Sequence, residues 1–325
     1  MSAIERKPPL ASWLVIWRIA ISSPSNRVYP NGRQQLEVTV IVEPLMSQTV
    51  KAEELASVRL MIRDAHGQFS PLPDVAGSPW FFGHARNEYL EYPGARSPSS
   101  AINPLAVYTR KFYVMAGKTN GTGQGLETLY AGITRYTDEG MYDYVTDGSE
   151  GNFSSTVEVH TAETPKFQVP GNYTFERTLT AGNSNSDIFT WQYSLAGANV
   201  QQPVVGFVTA SIEPAGMIQW DDRNSSVTRA SHIGYSSPGG TLFRYNTAIQ
   251  LGSFFQPVTQ VKNPKNGHIT LVLQGGNNIP YDSQSAINHN GPCVLNAVDV
   301  YGNDHQLQIG FKDPTVQGRH ELVLS

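Results

Sequence analysis

The connection from Ser70 to Asn103 gathers Trp80, Phe81, Phe82, His84, Tyr89 and Tyr92, with Arg86 and Arg96 among them. Pro71, Pro73, Pro79, Pro93 and Pro98 punctuate the same stretch. Proline cannot donate to a strand ladder, so a central strand is excluded there. A connection this long inside a compact domain usually carries function. Aromatic rings beside guanidinium groups can stack on sugars, enter a membrane interface or anchor a protein partner. The same rings can instead fold back and plug the end of the domain, because aromatic side chains dominate core energetics wherever they can be buried. The recognition reading makes Trp80, Phe81, Phe82, Arg86, Tyr89 and Tyr92 a binding set for a glycan or protein surface.

A second cluster is acidic and glycine-rich, from Asp138-Glu139-Gly140 through Asp143 and Asp147-Gly148 to Glu150-Gly151-Asn152. Oxygen ligands in such a loop suit Ca²⁺. From Asp143, however, Val145 holds the third position and Ser154 the twelfth, so the EF-hand spacing fails. Asp143, Asp147 and Glu150 remain as a weak calcium set against the plainer expectation of a solvated turn.

Other chemistry is thinly represented. The eight histidines form neither HxH nor HExxH, and GxSxG is missing. Gly117-Lys118-Thr119 has Phe112 where a P-loop requires glycine. The Gly121-x-Gly123-x-Gly125 turn lies between strands with no helix after it, which defeats a dinucleotide reading. Cys293 is the single cysteine, so no intrachain disulfide forms. It is expected to be a small buried hydrophobe rather than a nucleophile paired with His289. The chain is therefore read as cofactor-free and non-enzymatic.

Composition bounds the class. Charged residues are 15% of the 325, net charge is −4, and apolar residues are 39%. A disordered chain, a coiled coil and a polybasic nucleic-acid binder are excluded. Leu10 to Ile21 mimics a signal peptide, but Arg18 interrupts it and no small-x-small cleavage site follows. It is too short to span a bilayer. Trp13, Val15, Trp17, Ile19 and Ile21 share one period-2 face, which predicts a first strand instead. The protein is then expected in the cytoplasm, or outside it by a route that needs no cleaved signal.

The elements that position these residues are short β-branched runs bounded by Gly, Pro, Asn and Asp. Strands are predicted near 13–21, 34–43, 57–63, 107–116, 127–137 and 153–160, with one short helix within 50–60. Further strands are predicted near 172–180, 187–196, 203–213, 229–235, 242–250, 267–274, 292–300, 305–311 and 319–324. Leu36, Val38, Val40 and Val42 fall on one face, after the turn Tyr29-Pro30-Asn31-Gly32. Val28-Tyr29-Pro30-Asn31-Gly32 before Gln35-Leu36 echoes Val300-Tyr301-Gly302-Asn303 before Gln306-Leu307, as if one hairpin device were used twice.

Pro165 and Pro170-Gly171 mark a boundary. The expected architecture is all-β, with two consecutive antiparallel β-sandwich domains of immunoglobulin-like or jelly-roll-like kind, 1–164 and 165–325, the first bearing the 70–103 loop. Abundant Tyr, Asn, Ser and Gly in long loops resembles the composition of adaptable binding surfaces. The expected function is surface recognition or a structural role. Alternating strands at 153–160 and 172–180 keep a membrane-active toxin as one alternative, and a β-sandwich carbohydrate-active enzyme is a second. Partner identity and oligomeric state stay open.

Overall fold

The short β-branched and aromatic runs do become strands, and tight turns separate them. The computed structural model describes residues 7–93, 108–118, 125–149, 151, 153–198, 204–221, 229–313 and 316–325. It divides into two units, 1–164 and 165–325, each built on its own pair of sheets.

The strands of the first unit are β1 (Leu14–Ile21), β2 (Arg27–Val28), β3 (Leu36–Pro44), β4 (Arg59–Arg63), β5 (Phe69–Pro71), β6 (Trp80–Gly83), β7 (Tyr108–Ala116), β8 (Leu126–Thr137), β9 (Gly140–Val145) and β10 (Thr156–Thr161). A short helix α1 (Ala52–Ala56) precedes β4. One sheet has the order β1-β3-β7-β6. The other runs β2-β10-β8-β4-β5, with β9 also on β8. Pairing is antiparallel apart from the short β2–β10 contact. Trp17, Val38, Val40 and Phe112 of the first sheet share one core with Leu60, Leu129, Ile133 and Val159 of the second. The predicted inward face of β3 is buried as expected. In β1 the period breaks. The register with β3 shifts between Leu14 and Ile16, and this bulge turns Val15 out to solvent at 53% exposure while Leu14 takes the core position.

The second unit contains β11 (Tyr173–Gly182), β12 (Phe189–Gly197), β13 (Phe207–Glu213), β14 (Ile218–Trp220), β15 (Ala230–Ser236), β16 (Ile269–Gly276), β17 (Cys293–Asp299), β18 (Asp304–Phe311) and β19 (Leu322–Leu324), with helix α2 (Ser283–Asn288) before β17. The sheet β11-β12-β16-β15-β14 faces β13-β17-β18-β19 across Tyr193, Leu271, Leu295 and Ile309. None of the described sheets closes into a barrel, so the chain is all-β with sandwich-like units. The strand predicted at 242–250 is a loop with isolated β-bridges at Leu242 and Arg244. The two echoing turns are different devices. Gly302-Asn303 closes the β17–β18 hairpin within one sheet, whereas Tyr29 to Gln34 carries the chain from β2 in one sheet to β3 in the other.

One charged cluster crosses the second sandwich. Arg319, fully buried, donates from Nη2 to Asp187 Oδ1 at 2.6 Å and from Nη1 to Ser231 Oγ at 3.1 Å, and its Nε meets Asp221 Oδ1. Arg229 lies 3.5 Å from Asp187 and 3.1 Å from Asp221. Removing one member of a buried ion cluster strands the remaining charge and costs about 3–5 kcal/mol. Arg319→Met is expected to lower the stability of the second unit by that amount, read from chemical denaturation of the full chain. A loss below about 1 kcal/mol would show that the cluster does not hold the sheets together.

His232 on β15 is also fully buried, stacked on Tyr245 at 4.8 Å, and among the described residues neither ring nitrogen has a partner. Desolvation pushes its pKa down to about 3. Between that value and the unfolded one, the unfolded chain binds a proton that the folded chain refuses. Stability is therefore complete above about pH 6.5 and drains away as pH falls, by at most about 1.4 kcal/mol per pH unit from this group. His268 and His320, also shifted down chiefly by desolvation, act in the same direction. Thermal melts at pH 7 and pH 4.5 should show a larger loss for the wild type than for His232→Phe. Equal losses would remove His232 as a cause.

Candidate functional site

Trp80, Phe81 and Phe82 correct the expectation of an exposed loop. They form β6, paired with β7 from Trp80 against Ala116 to Gly83 against Tyr113, and all three are buried at 8% exposure or less. The prolines flank the strand instead of entering it. The Phe82 N–H donates to Pro73 O at 3.0 Å and the Gly117 N–H to Pro79 O at 2.9 Å. At a sheet edge, prolines outside the paired residues cost no ladder bond. Phe82 meets the ring of Phe112 edge-on at 5.2 Å, and Trp80 and Phe82 belong to the core of the first unit. All three side chains are thus buried in the first unit.

What the connection presents is the segment that follows. His84 and Arg86 are exposed, Leu90 is 51% exposed, and Tyr89 and Tyr92 are half-buried. The backbone here is held from beneath by two buried carboxamides at the start of β3. Gln35 donates from Nε2 to Ala85 O at 3.1 Å and accepts the Asn87 N–H at Oε1, 2.8 Å. Gln34 donates from Nε2 to Leu90 O at 3.1 Å. Asn87 Nδ2 donates to Arg33 O, and Ser23 Oγ donates to Glu91. Arg86 pairs with Glu91 at 2.8 Å, and Tyr92 sets its ring against Tyr29 at 5.2 Å. Arg86, Tyr89 and Tyr92 thus belong to one pinned loop, apart from the three buried rings. The adjacent Gln34-Gln35 pair is the feature that sequence reasoning passed over. Pro98 and Arg96 lie outside the described residues.

The acidic cluster is committed elsewhere. Asp143 sits on β9 and accepts at Oδ1 from Arg59 Nη2 at 2.8 Å and from Thr134 Oγ1 at 2.5 Å. Desolvation raises its pKa, but these hydrogen bonds and the Arg59 charge outweigh that and hold it below the ordinary carboxylate range. Asp147 Oδ1 accepts from the N–H and hydroxyl of Ser149, a local turn. Glu150 lies outside the described residues. Among the described residues, no three His, Cys, Asp or Glu side chains gather where they could hold a metal ion. Cys293 is buried in the second core, its thiol pushed up to about 12 by desolvation and by the nearby Glu213 carboxylate. His289 contacts Asn246 at 3.3 Å.

One constellation was not foreseen. Asp299, His305 and Tyr173 form a carboxylate–imidazole–phenol chain, with His305 Nε2 at 3.2 Å from Asp299 Oδ2 and its Nδ1 at 2.9 Å from the Tyr173 hydroxyl. The same order of groups activates nucleophiles in hydrolases. Here Phe167 and Phe207 close on the imidazole at 4.5 and 5.3 Å, and Asp299 also takes the N–H groups of Tyr301 and Asn303. The Asp299 and His305 side chains are buried and fix the β17–β18 turn, and His305 also lines a cavity of about 570 Å³ with Thr209, Asn296 and Asp304. Desolvation, then the charge of Asp299, lifts Tyr173 to about 12.

The second unit also holds a cavity of about 360 Å³ beside β14, lined by Gln219, Trp220, Tyr281, Asn290 and Phe311 among others. No family model matches the sequence, and no curated protein matches it. Among solved structures, the Yersinia pseudotuberculosis adhesin InvE matches over 92% of this chain and 60% of that one, at 12% identity and a TM-score of 0.20.

Burial of the aromatic strand gives a direct test. Trp80→Ala and Phe82→Ala should each cost about 3–5 kcal/mol and together unfold the first unit in a thermal melt. An unchanged melt would return both side chains to the surface.

Proposed function

We infer that this is a non-enzymatic recognition protein, and that the loop from His84 to Tyr92 of the first unit is its contact with a protein partner. The observation that carries this reading is the pinning of the loop. The Gln34 and Gln35 amides take up backbone groups at Ala85, Asn87 and Leu90, so the loop is ordered before a partner arrives. Prior ordering lowers the entropy cost of association. The loop exposes His84, Arg86, Glu88 and Leu90 and leaves Tyr89 partly open, and arginine and tyrosine are the types enriched where protein interfaces concentrate their energy. The burial of Asp299, His305 and Cys293 supports a role without catalysis.

The test is selection of a phage-displayed peptide library on the full chain, with each enriched peptide then measured on Arg86→Ala/Tyr89→Ala/Leu90→Ala. We expect at least a tenfold loss of affinity on the triple variant, because such positions are worth 1–2 kcal/mol or more each. Its melting temperature should stay close to the wild type, since these side chains lie outside the core. Peptides that bind the folded variant as tightly as the wild type would overturn the loop as the contact.

A further inference from the structure

Between β15 and β16 the chain leaves the sheet, and residues 237–262 lie back across its outer face as a strap. Side chains alternate along β15. Ile233 and Tyr235 enter the sandwich core, so His232, Gly234 and Ser236 face the strap. Tyr245 of the strap stacks on His232 at 4.8 Å, and Phe255 stands edge-on to it at 6.3 Å. A Cβ built at Gly234 would strike the Tyr245 ring, and one at Gly276 would lie 2.8 Å from Phe255. These two glycines are the seats of the strap's rings. The apolar contacts of the strap form clusters apart from the sandwich core, Phe243 and Val261 on Val272, and Ile249 and Phe255 on Ile218 and Ala230. Gln274 accepts the Val258 N–H and donates to Gln256 O, and Gln192 accepts the Lys262 N–H. A bridge joins Arg244 to Tyr235. All these contacts can break while the core between the sheets stays closed.

We propose that the strap is an acid-released cover, which lifts when His232 takes a proton and uncovers the outer face of β14, β15 and β16. Among the described residues neither nitrogen of His232 has a partner, so an imidazolium there would be a buried charge with unanswered donors. Its register partners, Gln274 on β16 and Ile218 on β14, do not titrate. Tyr245 faces it from the strap, and burial keeps that hydroxyl protonated. Arg229 and Arg319 pair with Asp187 and Asp221, and Arg319 reaches β15 at Ser231, which alternates to the other face. On the strap Arg244 is exposed, and Lys262 Nζ donates to Thr180 O. Two further histidines touch the region, His289 at Asn246 and His268 at the Ser194 hydroxyl. Burial holds His232 at about 3, whereas an imidazole in water titrates near 6.5. Between those values the lifted form binds a proton that the closed form refuses, so each pH unit of acidification favours lifting about tenfold.

The experiment is hydrogen exchange on the full chain at pH 7 and pH 5, corrected for the intrinsic exchange rate. The amides of Phe243, Val258 and Val261 should be less protected than those of β17 and β18. Their protection should fall about 25-fold from pH 7 to pH 5. His232→Phe should abolish that fall, and Gly234→Ala, which unseats Tyr245, should lower strap protection already at pH 7. The strap belongs to the second unit, so the triple variant of the His84–Tyr92 loop should behave as the wild type. Strap amides as protected as those of β17 and β18 would overturn the proposal, because the strap would then lift only when the unit unfolds. An undiminished fall in folded His232→Phe would also overturn it and move the titration to His268 or His289. If His232→Phe does not fold, unchanged strap protection in Gly234→Ala decides against it.

Discussion

A guanidinium without solvent must be answered by carboxylates wherever it is placed, and in the second unit that demand settles where four stretches of chain meet. Arg319 draws Asp187 from the β11–β12 turn, Asp221 from the end of β14 and Ser231 from β15 onto the segment that leads into β19. One sheet supplies the acids and the other, through β19, follows from the base. The Leu322 N–H donates to the Tyr193 hydroxyl at 3.1 Å, a second tie across the same gap. Asp221 directly follows Trp220, so the charge that fixes the end of β14 also fixes the indole on the cavity wall. Buried ion clusters add little net stability compared with apolar packing, but they tolerate few alternative arrangements. Position is what this one supplies.

The first unit solves a similar problem with neutral groups. Gln34 and Gln35 are as deeply buried as the core aliphatics, and each carboxamide serves as donor and acceptor together. Gln34 accepts the Tyr29 N–H at 2.7 Å while donating to Leu90 O, so one side chain links the β2–β3 crossing to the loop above it. Glu54 does comparable work at α1, accepting the N–H groups of Lys51 and Tyr136 with its two oxygens. The glutamine contacts carry no charge and hold the loop by its backbone, whereas Glu54 brings a buried carboxyl group to α1.

Much of the fold was legible because it rests on periodicity. Leu36, Val38, Val40 and Val42 alternate, and alternation with flanking turn residues reports a half-buried strand without knowledge of its neighbours. The Gly302-Asn303 hairpin was legible for the same local reason. What escaped depends on distant partners. β6, β9 and β14 are short, and each exists because a longer strand stands beside it. Val15 breaks its face because of a bulge that only the register with β3 defines. The prolines around Trp80 were real signals of interruption, but they bound the strand, and four paired residues suffice at an edge. At the sites the difficulty was sharper. Arg86, Tyr89 and Tyr92 were named beside Trp80, Phe81 and Phe82 by residue type, yet the first three lie on an exposed or half-buried loop and the last three are buried in a strand. The glutamines that hold the loop, and the histidine buried on β15, have no pattern in the sequence at all.

Cys293 has a practical meaning beyond packing. With its only thiol enclosed in β17 and held protonated at ordinary pH, the folded chain behaves toward thiol-directed oxidants and alkylating agents as if it contained no cysteine. Copies cannot be joined by a disulfide while folded, and glutathione, reduced or oxidised, has no thiol to exchange with. A cysteine placed at Leu90 would then be the one thiol a maleimide dye can reach, so a fluorescent reporter can be set on the loop without first removing a native residue.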